Sequence, residues 1–345
     1  MLPRRPTQRL TPPGRAGRAD RVTYRGGVLR RRELDPWLRR LTLVLAAGLA
    51  WLAGCSSLSD QVDLGVDGVG ARWVEVVGSG ASLDAGIIRR ALVASPQDIE
   101  PRGQNILGAD GDAAGGGGLP LVVVNHGLGS TPEITAALTG WPAVVPTDRI
   151  LVAYPEGFEA SFNAGWCCGE AQAAAVDDVA FLNDVIDAVA GLYPVDRSRV
   201  FMTGYSNGGM ITYRYICEHA DRLAGAASVV GTNVDGCSAS DAISFLQITG
   251  RDDPVVPPGG GPSSTPGLGP FFSTSAAVAD VADASQCTDE ATGSIGEVEI
   301  TRWSSCADGV RVEYDLIPFG HEWPLTDSYD ATRRQLVFWG LRPNR

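Results

Sequence analysis

Lysine is absent from this 345-residue chain, so arginine supplies its permanently positive side chains. The absence bears on the stretch GADGDAAGGGGLP, Gly108 to Pro120, since phosphate-cradling glycine loops follow a strand, open a helix and end in Lys-Ser/Thr. This stretch lacks that ending and precedes a predicted strand. We therefore interpret it as a flexible surface connection rather than as a nucleotide site.

Positive charge is also scarce after the first forty residues. Residues 1–40 hold twelve arginines and three acids, whereas the rest of the chain holds sixteen arginines and thirty-seven acids. An acidic body argues against a nucleic-acid partner, because binding to phosphates needs clustered positive charge. The arginine-rich residues 1–40, called the basic head below, need a separate explanation.

The apolar run LTLVLAAGLAWLAG, residues 41–54, has fourteen residues and is too short for a mature membrane-spanning helix. A positive flank, an apolar core and small residues at the end are typical of an export signal. The ending LAGC resembles the lipobox of bacterial lipoproteins, in which the cysteine, here Cys55, is lipidated. An ordinary secretory signal with an incidental cysteine is the alternative. We predict export, with the mature chain either lipid-anchored on the outer side of the cell membrane or secreted.

The cysteine spacings include no good zinc signature, and the sequence predicts neither a metal nor another cofactor. Six cysteines remain when Cys55 is set aside, and an exported chain meets an oxidising compartment that favours disulfides. Six cysteines allow fifteen pairings, and the adjacent pair is expected to seek different partners. The six are Cys167, Cys168, Cys217, Cys237, Cys287 and Cys306.

Strand and helix patterns alternate from residue 119 onward. Continuous apolar runs such as LPLVVVN and RILVAY predict strands buried on both faces. The stretch VDDVAFLNDVIDAVAGLY has apolar residues at helical spacing. This alternation predicts an α/β domain with a mostly parallel central sheet and helices on both faces. We place it at residues 86–345, after a basic head and signal peptide at 1–54 and a tether at 55–85.

The stretch VFMTGYSNGGM, Val200 to Met210, fits the pattern G-x-S-x-G between a predicted strand and a predicted helix. A sharp turn there would expose the hydroxyl of Ser206 above the sheet, and larger side chains at the glycine positions would collide with the neighbouring backbone. Ser206 is therefore the candidate nucleophile. The turn also places the backbone N–H of Asn207 at the start of the helix.

A serine nucleophile needs a base, and the chain has only three histidines. His126 follows the first buried strand, and His219 lies in the helix after Ser206. His321 alone follows both the serine and a candidate acid, as the order Ser, Asp, His requires. Asp252 and Asp253 both follow a predicted strand, and spacing does not choose between them.

Small residues after the first buried strand predict the second part of an oxyanion hole. In His126-Gly127-Leu128-Gly129, the backbone N–H of Leu128 is paired with that of Asn207 as donors to the oxyanion. His126 is interpreted as structural, fixing this loop. His219 is interpreted as an ordinary helix-surface histidine.

The segments LPLVVVNHGLGS, YPEGFEASFNAGWCCG, RVFMTGYSNGGMITYRYICEHA, ITGRDDPVVP and PFGHEWP occur in the order seen in one group of proteins. The chain resembles the polyhydroxybutyrate depolymerase-like esterases, which include feruloyl and acetylxylan esterases and lipoprotein relatives. The resemblance covers residues 87–341. It implies an extracellular serine esterase with the α/β-hydrolase fold.

The resemblance also implies roles for individual residues. It selects Asp253 as the acid and His321 as the base, and it implies a late disulfide between Cys287 and Cys306, with two more bridges among the other four cysteines. Trp323 and Tyr205 are assigned to substrate binding, although ordinary packing is a close alternative for Trp323.

The sequence leaves more than one function open. The favoured hypothesis is an esterase acting on small, aromatic, polyester or polysaccharide-linked esters, with membrane contact through the lipid anchor only and no nucleic-acid partner. The alternative is a catalytically inactive hydrolase fold that serves as an envelope-binding lipoprotein. A peptidase is disfavoured by the small size of the chain.

Overall fold

The computed structural model describes residues 60–78, 89–102 and 118–343. The predicted basic head, the signal segment 41–54, Cys55 and most of the glycine-rich stretch lie outside these residues. Within the described residues, no helix is long and apolar enough to cross a membrane.

The described residues contain one ten-stranded sheet, with strands in the order β1-β2-β4-β3-β5-β6-β7-β10-β9-β8. The six central strands from β4 to β10 run parallel, and antiparallel pairs flank them on both sides. The strands are Val69–Val76 (β1), Arg89–Pro96 (β2), Leu119–Asn125 (β3), Leu151–Pro155 (β4), Val195–Tyr205 (β5), Gly225–Val229 (β6), Phe245–Gly250 (β7), Asp289–Ile295 (β8), Val298–Ser304 (β9) and Val312–Ile317 (β10).

Helices cover both faces of this sheet, and the predicted α/β class is confirmed. The α-helices are Pro132–Thr139 (α1), Trp141–Asp148 (α2), Gly169–Ala173 (α3), Asp178–Leu192 (α4), Asn207–His219 (α5), Thr274–Ala284 (α6) and Ala331–Phe338 (α7). Short 3-10 helices occupy Ala220–Arg222 and Ala307–Gly309.

The core lies in two layers, one on each face of the sheet. Strand β3 shows why: Leu121 and Val123 pack in one layer, whereas Val122 and Val124 pack in the other. Side chains of a strand alternate between the two faces, so a strand covered by helices on both sides needs a continuous apolar run. Helices α4, α5 and α6 cover the first layer, and α1, α2 and α7 cover the second.

The tether predicted for residues 55–85 is wrong where the structure describes β1. This strand pairs antiparallel with β2, from Val69 opposite Pro96 to Val76 opposite Arg89. Its buried side chains are Ala71, Val74 and Val76, so buried and exposed residues alternate over only part of the strand. The glycines and aspartates that precede it are typical of a loop, and the sequence therefore gives little sign of a strand here. The sheet therefore begins before the predicted boundary at residue 86.

Candidate active site

The turn that carries Ser206 joins β5, the third of the central parallel strands, to helix α5. Ser206 has φ 55° and ψ −116°, a conformation that costs a non-glycine residue conformational energy. A Cβ at Gly204 would lie 2.2 Å from the carbonyl carbon of Gly208, and a Cβ at Gly208 would lie 2.1 Å from the carbonyl oxygen of Asn125. Glycine at both positions is what allows the turn to be this tight.

His321 lies within hydrogen-bonding distance of both predicted partners. Its Nε2 is 2.9 Å from Ser206 Oγ, and its Nδ1 is 2.8 Å from Asp253 Oδ2. Because β7 and β10 are parallel neighbours, the loops that follow them leave the same edge of the sheet. A Cβ at Gly250 would lie 2.2 Å from the carbonyl oxygen of Gly320, so the two loops touch there.

The structure separates the two aspartates that spacing left open. The Asp253 side chain is fully buried, and its Oδ1 accepts the backbone N–H groups of Val255 at 2.8 Å and Val256 at 2.9 Å. Asp252 is exposed. One carboxylate oxygen is therefore held by the backbone, which leaves the other to accept the Nδ1–H of His321.

The loop that carries Leu128 packs directly against the nucleophile turn. Gly208 contacts the backbone of Asn125 and His126, and a Cβ at Gly127 would lie 2.7 Å from the Tyr205 ring. Asn207 is the first residue of α5, where helical N–H groups have no partner within the helix. Both predicted oxyanion donors therefore belong to segments in contact beside Ser206.

His126 is fully enclosed and fixes this loop, as predicted. Its Nε2 accepts the backbone N–H of Gly157 at 2.9 Å, and its Nδ1 lies 2.8 Å from the carbonyl oxygen of Gly127. Burial lowers the pKa of His126 from 6.5 to about 4, so the imidazole is neutral and donates through Nδ1. His219 is the last residue of α5, and the centroid of its ring lies 5.7 Å from that of the Tyr215 ring.

Part of the chain is similar in sequence to proteins named as esterases. The chain is 28% identical to a bifunctional acetylxylan esterase/xylanase, XynS20E, of Neocallimastix patriciarum over 40% of this chain and 20% of that protein. It is 34% identical to feruloyl esterase C of Emericella nidulans over 29% of this chain and 35% of that protein. The chain thus spans well under half the length of these two relatives. No family model matches it.

A solved structure shows the fold. The acetyl xylan esterase from Aspergillus awamori superposes with a TM-score of 0.52 at 14% identity, over 78% of this chain and 99% of that one. The chain has the α/β-hydrolase fold. The resemblance to feruloyl and acetylxylan esterases that the sequence predicts is also confirmed by the matches to named relatives.

Tyr205 and Trp323 line one cavity, which has a volume of about 210 Å³. The Tyr205 hydroxyl donates to the carbonyl oxygen of His321 at 2.8 Å, and burial raises its pKa to about 12. Trp323 is 9% exposed and donates through Nε1 to Thr332 Oγ1 at 3.0 Å. Trp323 therefore belongs to the core and also presents one face to the cavity.

Three disulfides among the described residues join Cys167 to Cys168, Cys217 to Cys237 and Cys287 to Cys306. The last pairing is the one that the resemblance implies. The expectation that the adjacent cysteines seek different partners is wrong, because Cys217 and Cys237 already pair with each other across 20 residues.

Sequence reasoning missed a clamp beside the nucleophile. The Asn207 side chain accepts the backbone N–H of Phe162 at 2.8 Å and donates to its carbonyl oxygen at 2.9 Å. The clamp fastens the segment before the adjacent cysteines to the start of α5. The two residues are 45 positions apart, and no local pattern indicates their pairing.

Proposed function

We propose that this chain is a serine hydrolase of carboxylic esters that works through an acyl-enzyme intermediate. The observation that carries the proposal is the pair of hydrogen bonds joining Ser206, His321 and Asp253 at 2.9 and 2.8 Å. Relatives named as acetylxylan and feruloyl esterases support the class of bond. The proposed substrates are acetyl, feruloyl or polyhydroxybutyrate-type esters.

The first half-reaction forms the acyl-enzyme. Ser206 Oγ attacks the ester carbonyl carbon while His321 Nε2 takes the hydroxyl proton. Asp253 holds the other ring nitrogen and stabilises the imidazolium. The carbonyl oxygen, now negative, accepts N–H groups from Leu128 and Asn207. The bond to the alcohol oxygen then breaks, and His321 returns the proton to that oxygen.

The second half-reaction repeats these steps with water. His321 Nε2 takes a proton from the water as its oxygen attacks the acyl carbon. The bond to Ser206 Oγ breaks, the serine regains its proton from His321, and the carboxylic acid leaves. The full reaction therefore needs only the ester, one water molecule and these side chains.

A hydrolysis panel tests the proposal. The panel comprises p-nitrophenyl butyrate, methyl ferulate, acetylated xylan and polyhydroxybutyrate, with Ser206→Ala as the matched variant. We expect turnover of at least one ester and a loss of about 10³-fold or more in kcat for the variant. Failure of the folded protein to hydrolyse any of them would favour the inactive envelope-binding alternative.

The cellular place of the enzyme is part of the same proposal. The LAGC ending at Cys55, after the apolar run 41–54, supports export and lipid anchoring on the outer side of the membrane. Metabolic labelling with an alkynyl fatty acid should mark the wild-type chain and not the variant Cys55→Ser. Equal labelling of both would refute the anchor while leaving the esterase proposal intact.

A further inference from the structure

The cavity beside the candidate triad has walls from three parts of the site. Ser130 follows the oxyanion loop, Tyr205 precedes Ser206, and Glu322 and Trp323 follow His321. Tyr205 also touches Gly127 and donates to the His321 carbonyl oxygen. A group bonded to an ester carbon at Ser206 is thus next to this cavity.

The size of the cavity sets what fits. Its volume is about 210 Å³, and a dry protein cavity of about 150 Å³ is enough to hold benzene. Trp323 is held by Thr332, whose hydroxyl in turn donates to the carbonyl oxygen of Thr139 on α1. The cavity therefore has a fixed wall and room for one ring or a short branched chain.

The threonines of α1 make the cavity less polar than its composition indicates. Thr135 Oγ1 donates to the Thr131 carbonyl oxygen at 2.8 Å, and Thr139 Oγ1 donates to the Thr135 carbonyl oxygen at 2.7 Å. These hydroxyls are committed to their own helix. By contrast, Ser130 Oγ is buried and has no hydrogen-bond partner among the described residues.

The charge on the lining of the cavity is negative. Glu322 is the single charged residue among the described residues that line it, and no arginine or histidine is among them. Glu322 is exposed and is next in sequence to His321. A ligand carrying a carboxylate would lose water on entering and would meet this like charge without a cation to offset it.

We infer that this cavity binds an uncharged group of the ester, up to the size of one ring, and that Glu322 discriminates against carboxylate-bearing esters. The inference rests on the proposed esterase function and adds the residue that sets its charge selectivity. The group can belong to the acid or to the alcohol of the ester, and the test distinguishes these two sources.

Two matched pairs of esters test the inference by pH-stat titration. On the acid side, methyl pentanoate is compared with monomethyl glutarate, in which a carboxylate replaces the terminal methyl. On the alcohol side, pentyl acetate is compared with 5-acetoxypentanoate. We expect the wild type to favour the neutral member of at least one pair by about tenfold in kcat/KM, because a carboxylate must lose water to enter a cavity whose lining holds no cation.

The variant Glu322→Gln removes the charge and keeps the shape. We expect it to reduce that preference by about fivefold, mainly through faster hydrolysis of the anionic ester. Glu297→Gln is the matched control, because Glu297 is an exposed residue of the β8–β9 turn that does not line the cavity. It should keep the wild-type preference.

Each outcome bears on the inference. A change confined to the first pair places the acid group in the cavity, and a change confined to the second places the alcohol group there. Both results support the inference. Equal preference in the wild type and Glu322→Gln for both pairs overturns it, even though ester hydrolysis continues. A folded wild type that hydrolyses an ester of the first panel but none of these four overturns the inference alone, whereas failure with every ester of both panels overturns the esterase proposal as well.

Discussion

At the scale of single residues, Tyr205 connects the parts of the site. It precedes Ser206 in sequence, its ring lies 5.3 Å from the His321 ring, and its hydroxyl donates to the His321 carbonyl oxygen. The same ring packs against Gly127 of the oxyanion loop. Tyr205 is therefore a positioning residue for the base, in addition to forming a wall of the cavity.

Replacing Tyr205 with Phe should lower kcat by about tenfold with little change in KM, because the variant keeps the wall but releases the base loop. Steady-state kinetics on p-nitrophenyl butyrate measure this. Tyr213→Phe is the matched variant. The Tyr213 hydroxyl is also buried, but it donates to Gln247 Oε1 at 2.8 Å and lies away from the reacting atoms. A similar fall in kcat for both variants would contradict the positioning role.

The stability of the protein should depend on pH through His126. Its pKa is lowered from 6.5 to about 4, so between these values the unfolded chain binds a proton that the folded chain does not. Above pH 6.5 this difference therefore stabilises the folded protein by about 3 kcal/mol of unfolding free energy. That stabilisation is lost as the pH falls toward 4.

Urea unfolding of the wild type and of His126→Gln across this pH range measures the effect. The variant should be less stable at neutral pH, because it disturbs two hydrogen bonds of the loop, but its stability should fall less on acidification. Parallel curves for the two proteins would show that His126 is protonated in the folded state as readily as in the unfolded one.

The sequence can point to a candidate nucleophile and base because each depends on local or countable information. The Gly204-Tyr205-Ser206 turn is a local pattern, and His321 is selected from only three histidines. Asp252 and Asp253 are adjacent, so spacing does not choose between them. The resemblance implies Asp253, and burial and the N–H groups of Val255 and Val256 distinguish it in the structure. Residues such as Glu322 and Ser130 become part of the site only when the loops meet in space.

At the scale of elements, the antiparallel edges were the least predictable. Every residue of β8 is exposed, so its sequence shows no buried face. The strand is held by its pairing with β9 and by the disulfide between Cys287 and Cys306, which lies at the open end of the hairpin. The central strands β3 and β4, by contrast, are almost continuous apolar runs.

Replacing both cysteines of this hairpin with serine should lower the free energy of unfolding by about 3 kcal/mol, as expected for a loop of this length. The kcat/KM for p-nitrophenyl butyrate should change by less than about twofold, because β8 is at the far edge of the sheet from β5. Guanidinium unfolding and steady-state kinetics test both statements. Loss of activity in the folded variant would mean that the hairpin supports the His321 loop.

At the scale of the whole molecule, a buried ion pair joins the sheet to its helical layer. Arg89 of β2 donates to Asp178 Oδ1 of α4 at 2.6 Å, and their side chains are 7% and 0% exposed. The other Asp178 oxygen accepts the backbone N–H of Asn163 at 2.6 Å. The pair thereby links strand β2 to the segment that Asn207 clamps.

Arg89→Ala should destabilise the protein by about 3–5 kcal/mol, because it removes the guanidinium from a buried ion pair. The neighbouring residue gives a matched control: Arg90 pairs with Glu156 at 2.7 Å, but these side chains are 45% and 38% exposed. Arg90→Ala should cost about 1 kcal/mol or less. Equal losses for the two variants in urea unfolding would contradict the importance assigned to the buried pair.

The parallel centre of the sheet explains why distant residues form one site. Ser206, Asp253 and His321 follow β5, β7 and β10, which end on the same edge of the sheet. The alternation of strands and helices predicts this edge, although the strand order and the cavity come only from the structure. The antiparallel extensions add strands without adding any of these three side chains.

The most direct test of the triad is covalent labelling with a fluorophosphonate, followed by intact mass measurement and peptide mapping. We expect one adduct per chain, on Ser206, and labelling slower by about 10³-fold or more in the folded variant His321→Ala. An adduct on another residue, or labelling of the variant at the wild-type rate, would contradict the account.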